Sequence, residues 1–158
     1  MTQWQLLPFS QLTTHQLYEL LRLRVDVFVV EQTCPYPELD GKDTLEDVYH
    51  LLGYQEQKLV ACARLLAPTI SFSGSSIGRV ALAQSARGQR LGHQLIQQAI
   101  EHCYRLWPQH SIEIGAQHYL QDFYQQHGFS PFSEVYLEDD IPHLDMRHSL
   151  RAPKPNKC

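Results

Sequence analysis

No two of the four cysteines, Cys34, Cys62, Cys103 and Cys158, stand closer than 28 residues, so the chain lacks the C-x-x-C pair of thiol redox sites and zinc modules. Reduced thiols without a catalytic role are expected. The nine histidines include no pair three or four residues apart, the spacing at which one helix aims two imidazoles at one ion, and no metal is expected. There is no run of eighteen apolar residues, and the amino terminus lacks a basic stretch followed by an apolar one. A cytoplasmic protein with no membrane partner is the expectation. Thirteen Lys and Arg stand against seventeen Asp and Glu, a formal charge of -4 that argues against a general nucleic-acid binder, whose surface is as a rule basic.

What is present fits one domain. A chain of 158 residues with 43% hydrophobic side chains can bury a core without staples. The domain is expected over 1–150, and the proline-bearing end, 151–158, reads as a tail that continues neither strand nor helix. An apolar start at 4–8 precedes a capping-box pair, Thr13 and Gln16, and apolar residues at helical spacing predict a helix over 14–30. Residues 31–47, with Pro35, Pro37, Gly41 and five acids from Glu38 to Asp47, read as an exposed loop. Strand-like runs follow at 50–54, 59–66 and 77–83, the first two joined by a turn at 55–58. A helix over 91–106 stopped by Pro108, a strand at 112–116, a helix over 120–127 closed by Gly128, and strands at 132–137 and 144–150 complete an α/β order.

The segment from Gly78 to His93 runs from a buried strand through a small-residue loop into a helix. Such a junction presents unpaired backbone N–H groups at the positive end of a helix dipole, a ready site for phosphate. Arg87 and Arg90 add two cations there; an ordinary turn with two solvated arginines is the plain alternative. Two familiar phosphate loops fail on spacing. No lysine stands where a Walker loop needs one, and a dinucleotide fingerprint begun at Gly88 meets Arg90 and His93 where glycines belong. A ribose contact from Glu113 remains on that reading, but three strands in succession before the loop do not build a doubly wound sheet.

The loop Arg87-Gly88-Gln89-Arg90-Leu91-Gly92 resembles the Q/R-x-x-G-x-G/A pyrophosphate loop of the GCN5-related N-acetyltransferases (GNAT), departing from it at Arg90. A second block, Gln117-His118-Tyr119-Leu120 through Phe123-Tyr124 to Gly128-Phe129, is similar to that family's N-x-x-A-x-x-L/F-Y-x-x-x-G-F. The stretches 24–36 and 134–143 resemble the ElaA branch in particular. The resemblance implies a central mixed β-sheet flanked by helices, with strands 4 and 5 splayed so that the pantetheine arm of acetyl-CoA lies in the gap. It implies backbone contacts from Val80, Ala81 and Leu82 to pantetheine, and a pyrophosphate held by Arg87, Gly88, Gln89, Arg90, Leu91, Gly92 and His93, with Gln117 nearby. At Arg90, either φ stays negative and the guanidinium reaches phosphate, or the loop binds less tightly.

The activity implied is direct transfer of an acetyl group to a primary amine of a small molecule or peptide. Tyr124 is the expected proton donor to the leaving thiolate, and a backbone N–H near Leu82 would polarise the carbonyl. Glu31, His50, Glu113 and His118 are the candidate bases, with a water chain as the alternative. The acids of 38–47 and of 138–140 are expected to draw a cationic amine to the cleft. A non-catalytic acyl-CoA-binding module and a nucleotide-binding domain of other chemistry are the competing readings, and monomer and homodimer both stay open.

Overall fold

The computed structural model describes residues 1–150; the expected tail, 151–158, lies outside the described residues. Strand β1 (Gln3–Pro8) leads to α1 (Thr14–Arg24), whose start is fixed by the expected capping box. Thr13 Oγ1 accepts from the Gln16 N–H at 3.0 Å, and the Gln16 side chain accepts from the Thr13 N–H at 3.0 Å. The expected 14–30 helix does not stay α. At Val25–Glu31 it widens to a π-helix, in which the N–H groups of Gln32 and Cys34 bond to Val27 and Val29, five residues back. Four valines in six residues crowd a regular α-turn, and the wider turn relieves them.

β2 (Val48–Gln55), β3 (Lys58–Leu66) and β4 (Ser76–Leu82) join β1 in an antiparallel sheet of order β1-β2-β3-β4. The β2–β3 turn has only two residues, Glu56 and Gln57, both at positive φ as a twist-matched hairpin turn requires. α1, through Leu20 and Leu23, and the π-helix, through Val27, pack one face of the sheet onto Leu52, Leu59 and Cys62. α2 (Leu91–Leu106) packs the other with Leu95, Ile96, Ala99 and Cys103 on Leu51, Ala63 and Leu65. Burial pushes the Cys62 and Cys103 thiols up to about 12, so both remain protonated packing residues.

The second sheet has β8 (Ile141–His148) between β5 (Ile112–Gln117) on one side and β6 (Phe129–Pro131) with β7 (Tyr136–Glu138) on the other. The expected strand at 132–137 is thus an arch between two short strands on one edge of β8. The Ser133 hydroxyl helps tie this arch down by accepting the Asp145 N–H at 2.8 Å. The final strand starts at Ile141, earlier than expected, because Pro142 pairs opposite Leu137 without needing an N–H. The expected 120–127 helix shrinks to α3 (Gln121–Gln125) behind a 3-10 turn at His118–Leu120, and Gly128 closes it at φ +92°.

β4 and β5 meet only at their beginnings. The Ser75 N–H donates to the Ser111 carbonyl (3.0 Å) and the Glu113 N–H to the Ser75 carbonyl (2.8 Å), forming a parallel bridge between Ser75 and Ile112. Beyond it the strands fork. A bulge in β4 between the Gly78 and Ala81 pairs, with Arg79 at φ +50°, bends β4 at the fork. The splay of strands 4 and 5 and the mixed α/β class are as the sequence led one to expect. The central sheet is two four-stranded antiparallel sheets joined at this one parallel bridge.

Candidate functional site

The fork opens into a cleft of about 890 Å³. Its walls include Val80, Ala81 and Leu82 of β4, Ile114 to Gln117 of β5, Gly92 at the start of α2, and Tyr124 of α3. Arg87 borders it, whereas Gly88, Gln89, Arg90, Leu91 and His93 continue the loop beyond its rim. Gln89 faces a smaller hollow with Gln55, Lys58 and Ser85.

The loop prepares a helix N-terminus without capping it. Gly88 has φ +83° and Arg90, the residue before α2, has φ +58° and ψ +18°. Arg90 therefore adopts the left-handed conformation that glycine adopts freely, and the alternative framed on a negative φ does not apply. A non-glycine residue held there stores about 1–2 kcal/mol of strain. No side chain caps α2, which leaves its first-turn N–H groups without intrahelical acceptors at the positive end of a sixteen-residue helix. Gly92 sits against Leu82 and Phe123, where a Cβ would stand 3.6 to 3.8 Å away. The His93 and His127 rings share a hydrogen bond of 2.9 Å behind the loop.

Arg87 is held between the loop and the π-helix. Its guanidinium binds both carboxylate oxygens of Glu31, one at 2.7 Å, and donates to the Leu82 carbonyl at 3.1 Å. The Arg87 hydrogen bonds hold the Glu31 carboxyl below its usual range. Both partners are more than a third exposed, so the pair is open to exchange with a ligand anion.

Tyr124 projects from α3 among Phe123 and Phe129, and it is 7% exposed. Burial pushes its phenol well above the ordinary value, so it stays protonated and able to donate. Gln117 lines the cleft and donates to the Gln32 side chain at 3.3 Å, bridging β5 to the end of the π-helix.

The loop at 31–47 corrects the expectation of a solvated acidic stretch. Glu38 is 5% and Asp43 8% exposed, because three arginines from the sheet and α1 claim the acids. Arg24 donates to Glu38 (2.9 Å) and Asp43 (2.7 Å), Arg64 grips both oxygens of Asp40 (2.8 Å each), and Arg79 donates to Glu38 (3.0 Å). Tyr36 adds a hydrogen bond to Glu38 at 2.7 Å. Burial would raise the Asp40 and Asp43 carboxyls, but Arg64 on the first and Arg24 on the second hold both below the usual range. The charges of Glu38, Asp40 and Asp43 are matched within the protein, while Glu46 and Asp47 stay exposed.

Two candidate bases stand outside the cleft. His50, 1% exposed on β2, donates from Nε2 to the Asp43 carbonyl (3.0 Å) beneath the strap, and burial lowers its basicity. Glu113 receives Ser73 (2.8 Å), the Gly74 N–H (2.6 Å) and Arg147 (3.0 Å), which offset the upward push of burial and lower its carboxyl. It braces the β4–β5 bridge. His118 is also absent from the walls, while Glu31 is in them but bound to Arg87. The histidine that does line the cleft is His143 of β8, which was not among the candidate bases. Extending the last strand back to Ile141 would have found it, since alternation then sets residue 143 on the face opposite Leu144 and Met146.

Among the described residues, no group of three or more His, Cys, Asp or Glu is placed to hold a metal ion, and no helix is long and apolar enough to cross a membrane.

Comparison with known proteins places this geometry. The family model for the acetyltransferase (GNAT) domain matches residues 26–150. Protein ElaA of Escherichia coli K12 is 47% identical over 150 residues, covering 95% of this chain and 98% of that protein. Two crystal structures, an acyl-CoA N-acyltransferase from Pseudomonas aeruginosa and Escherichia coli ElaA, superpose with TM-scores of 0.90 and 0.89. Each is 45% identical, with 94% of this chain and 100% of the other covered.

Proposed function

Since the chain belongs to the GNAT acetyltransferase family, as an ElaA-like member whose chemistry is acyl transfer from a CoA thioester, we propose that it carries acetyl from acetyl-CoA to a primary amine. The acceptor class is a small molecule or peptide. The observation that carries this reading is the uncapped start of α2 beside the β4–β5 fork, both opening on one cleft.

The residues present fit the cosubstrate. First-turn N–H groups of Leu91, Gly92 and His93 would receive the pyrophosphate, with Arg87 released from Glu31 as a partner. The β4 edge at Val80, Ala81 and Leu82 faces the fork with no β5 partner, which suits an extended chain bearing amides. The same edge supplies a backbone N–H near Leu82 for the thioester oxygen. Tyr124, protonated and buried in the cleft wall, would donate to the departing sulfur.

Thermal-shift titration with acetyl-CoA, CoA, ATP and NAD tests the cosubstrate, because a ligand that prefers the folded state raises the apparent Tm. A rise with the two CoA species alone is expected. A screen of primary amines reading free-thiol release then tests transfer. Tyr124→Phe should lower kcat by about 100-fold or more with CoA affinity unchanged. Binding without thiol release for any amine would leave a non-catalytic acyl-CoA module.

A further inference from the structure

We propose that His143 is the general base that takes a proton from the acceptor amine; the assignment rests on the acyl-transfer reading above. A base must stand on the side of the fork from which the amine approaches. β8 alternates Leu144 and Met146 into the core with His143, Asp145 and Arg147 on the opposite face. That face is identified by its cross-strand contacts, Arg147 with Glu113 and Tyr136 with Asp145 at 2.6 Å. His143 pairs in register with Gln117, the last residue of the β5 rim. Tyr124 packs with the core cluster that holds Leu144 and Met146, so Tyr124 and His143 reach the cleft from opposite faces of one sheet. Proton donor and proton acceptor are thereby kept apart, as transfer to a thioester lying between them requires.

The ring is set for the task. Its Nδ1 lies 2.7 Å from the Ile141 carbonyl, and because a carbonyl only accepts, Nδ1 carries the hydrogen. In the neutral ring Nε2 therefore keeps its lone pair. Tyr136 stacks on the ring, with planes 22° apart, and limits its rotation. Tyr136 and Glu138 of β7 contact the ring, and Asp139 of the β7–β8 turn, Cys34 and Arg79 are among the titratable and charged residues that share the cleft lining with it. Glu138 lies 3.7 Å from Nε2, and Cys34 donates its thiol hydrogen to the Asp139 carbonyl at 3.6 Å.

The step balances. An ammonium acceptor gives one proton to Nε2, and its freed lone pair forms the C–N bond as the C–S bond breaks. The second proton lost by nitrogen replaces the one that Tyr124 gives to sulfur, so amide, CoA thiol and an imidazolium result. Solvent then takes the imidazolium proton.

The test uses the whole chain with acetyl-CoA and a panel of alkylamines, diamines, amino acids and a lysine-containing peptide, reading thiol release against pH. For any amine turned over, His143→Gln should lower kcat/KM by about 100-fold or more and remove the acidic limb of the profile. Its acetyl-CoA affinity should stay within about twofold, and added imidazole should restore part of the activity of His143→Ala. Long-range ¹H–¹⁵N spectra of the wild type should show the neutral ring protonated on Nδ1. An acidic limb that survives in His143→Gln, a loss matched by lost acetyl-CoA binding, or the Nε2-protonated tautomer would overturn the assignment alone. Absence of thiol release from the wild type with every amine would overturn the transfer reading and the base together.

Discussion

Two groups of arginines flank the cleft and are used in opposite ways. Arg24, Arg64 and Arg79 are at most a fifth exposed, and each is matched by carboxylates of the strap at 31–47. Arg87 and Arg90 stand on the loop before α2, the first held by one exposed carboxylate and the second in a backbone conformation that costs energy. Desolvation accounts for the difference. A buried guanidinium needs carboxylate partners to be tolerated, whereas an exposed one keeps its hydration and can trade a weak partner for a stronger anion. The strap is therefore completed by the protein itself, and the loop before α2 is left open to an anion.

The hardest blow to this contrast falls on the strap. Arg24→Met removes the most buried partner of Glu38 and Asp43 and leaves them to Arg79 and Arg64, and urea unfolding should record a loss of about 3 kcal/mol. Acid should act in the same direction. Asp40 and Asp43 are held below their ordinary values when folded, so the unfolded chain takes up protons first as pH falls. The strap's stabilisation is complete above about pH 4, the ordinary carboxylate value, and is lost below it; urea midpoints from pH 7 to pH 3 should trace that fall, less steeply in Asp43→Asn. On the loop the ranking reverses. Arg87→Ala should change stability by less than about 0.5 kcal/mol yet weaken CoA binding about tenfold, with a reduced salt dependence. Arg90→Gly is the mildest change: released strain less the added freedom of the unfolded chain leaves a gain of about 1 kcal/mol or less, with CoA affinity within about twofold.

Much of the frame was legible because it depends on local chemistry. The Thr13–Gln16 cap, the 55–58 turn, the start of α2 and the stop at Gly128 are written in residues that are neighbours in sequence. The strap was not legible. Five acids after two prolines look solvated until Arg24, Arg64 and Arg79, from three separate elements, are brought by the fold onto three of them, Glu38, Asp40 and Asp43. The same limit applied to the candidate site. Glu113 and His50 were suggested by residue type, but their partners are set by the tertiary structure, and both serve packing outside the cleft. The expected last strand began at 144 and so left out Pro142 and His143, which both lie within β8 opposite β7.

The fork between β4 and β5 makes the unliganded protein, in architectural terms, a sheet with one strand missing. Pinned at Ser75 and Glu113, its two halves present backbone edges that lack a neighbour across the gap. An extended guest with amides of its own would serve as the absent rung and turn two four-stranded sheets into one continuous surface. The occupant is then part of the scaffold while it stays, and the molecule should tighten most along the rims of the gap, at Val80 to Leu82 and Ile114 to Gln117, where amide exchange should slow first.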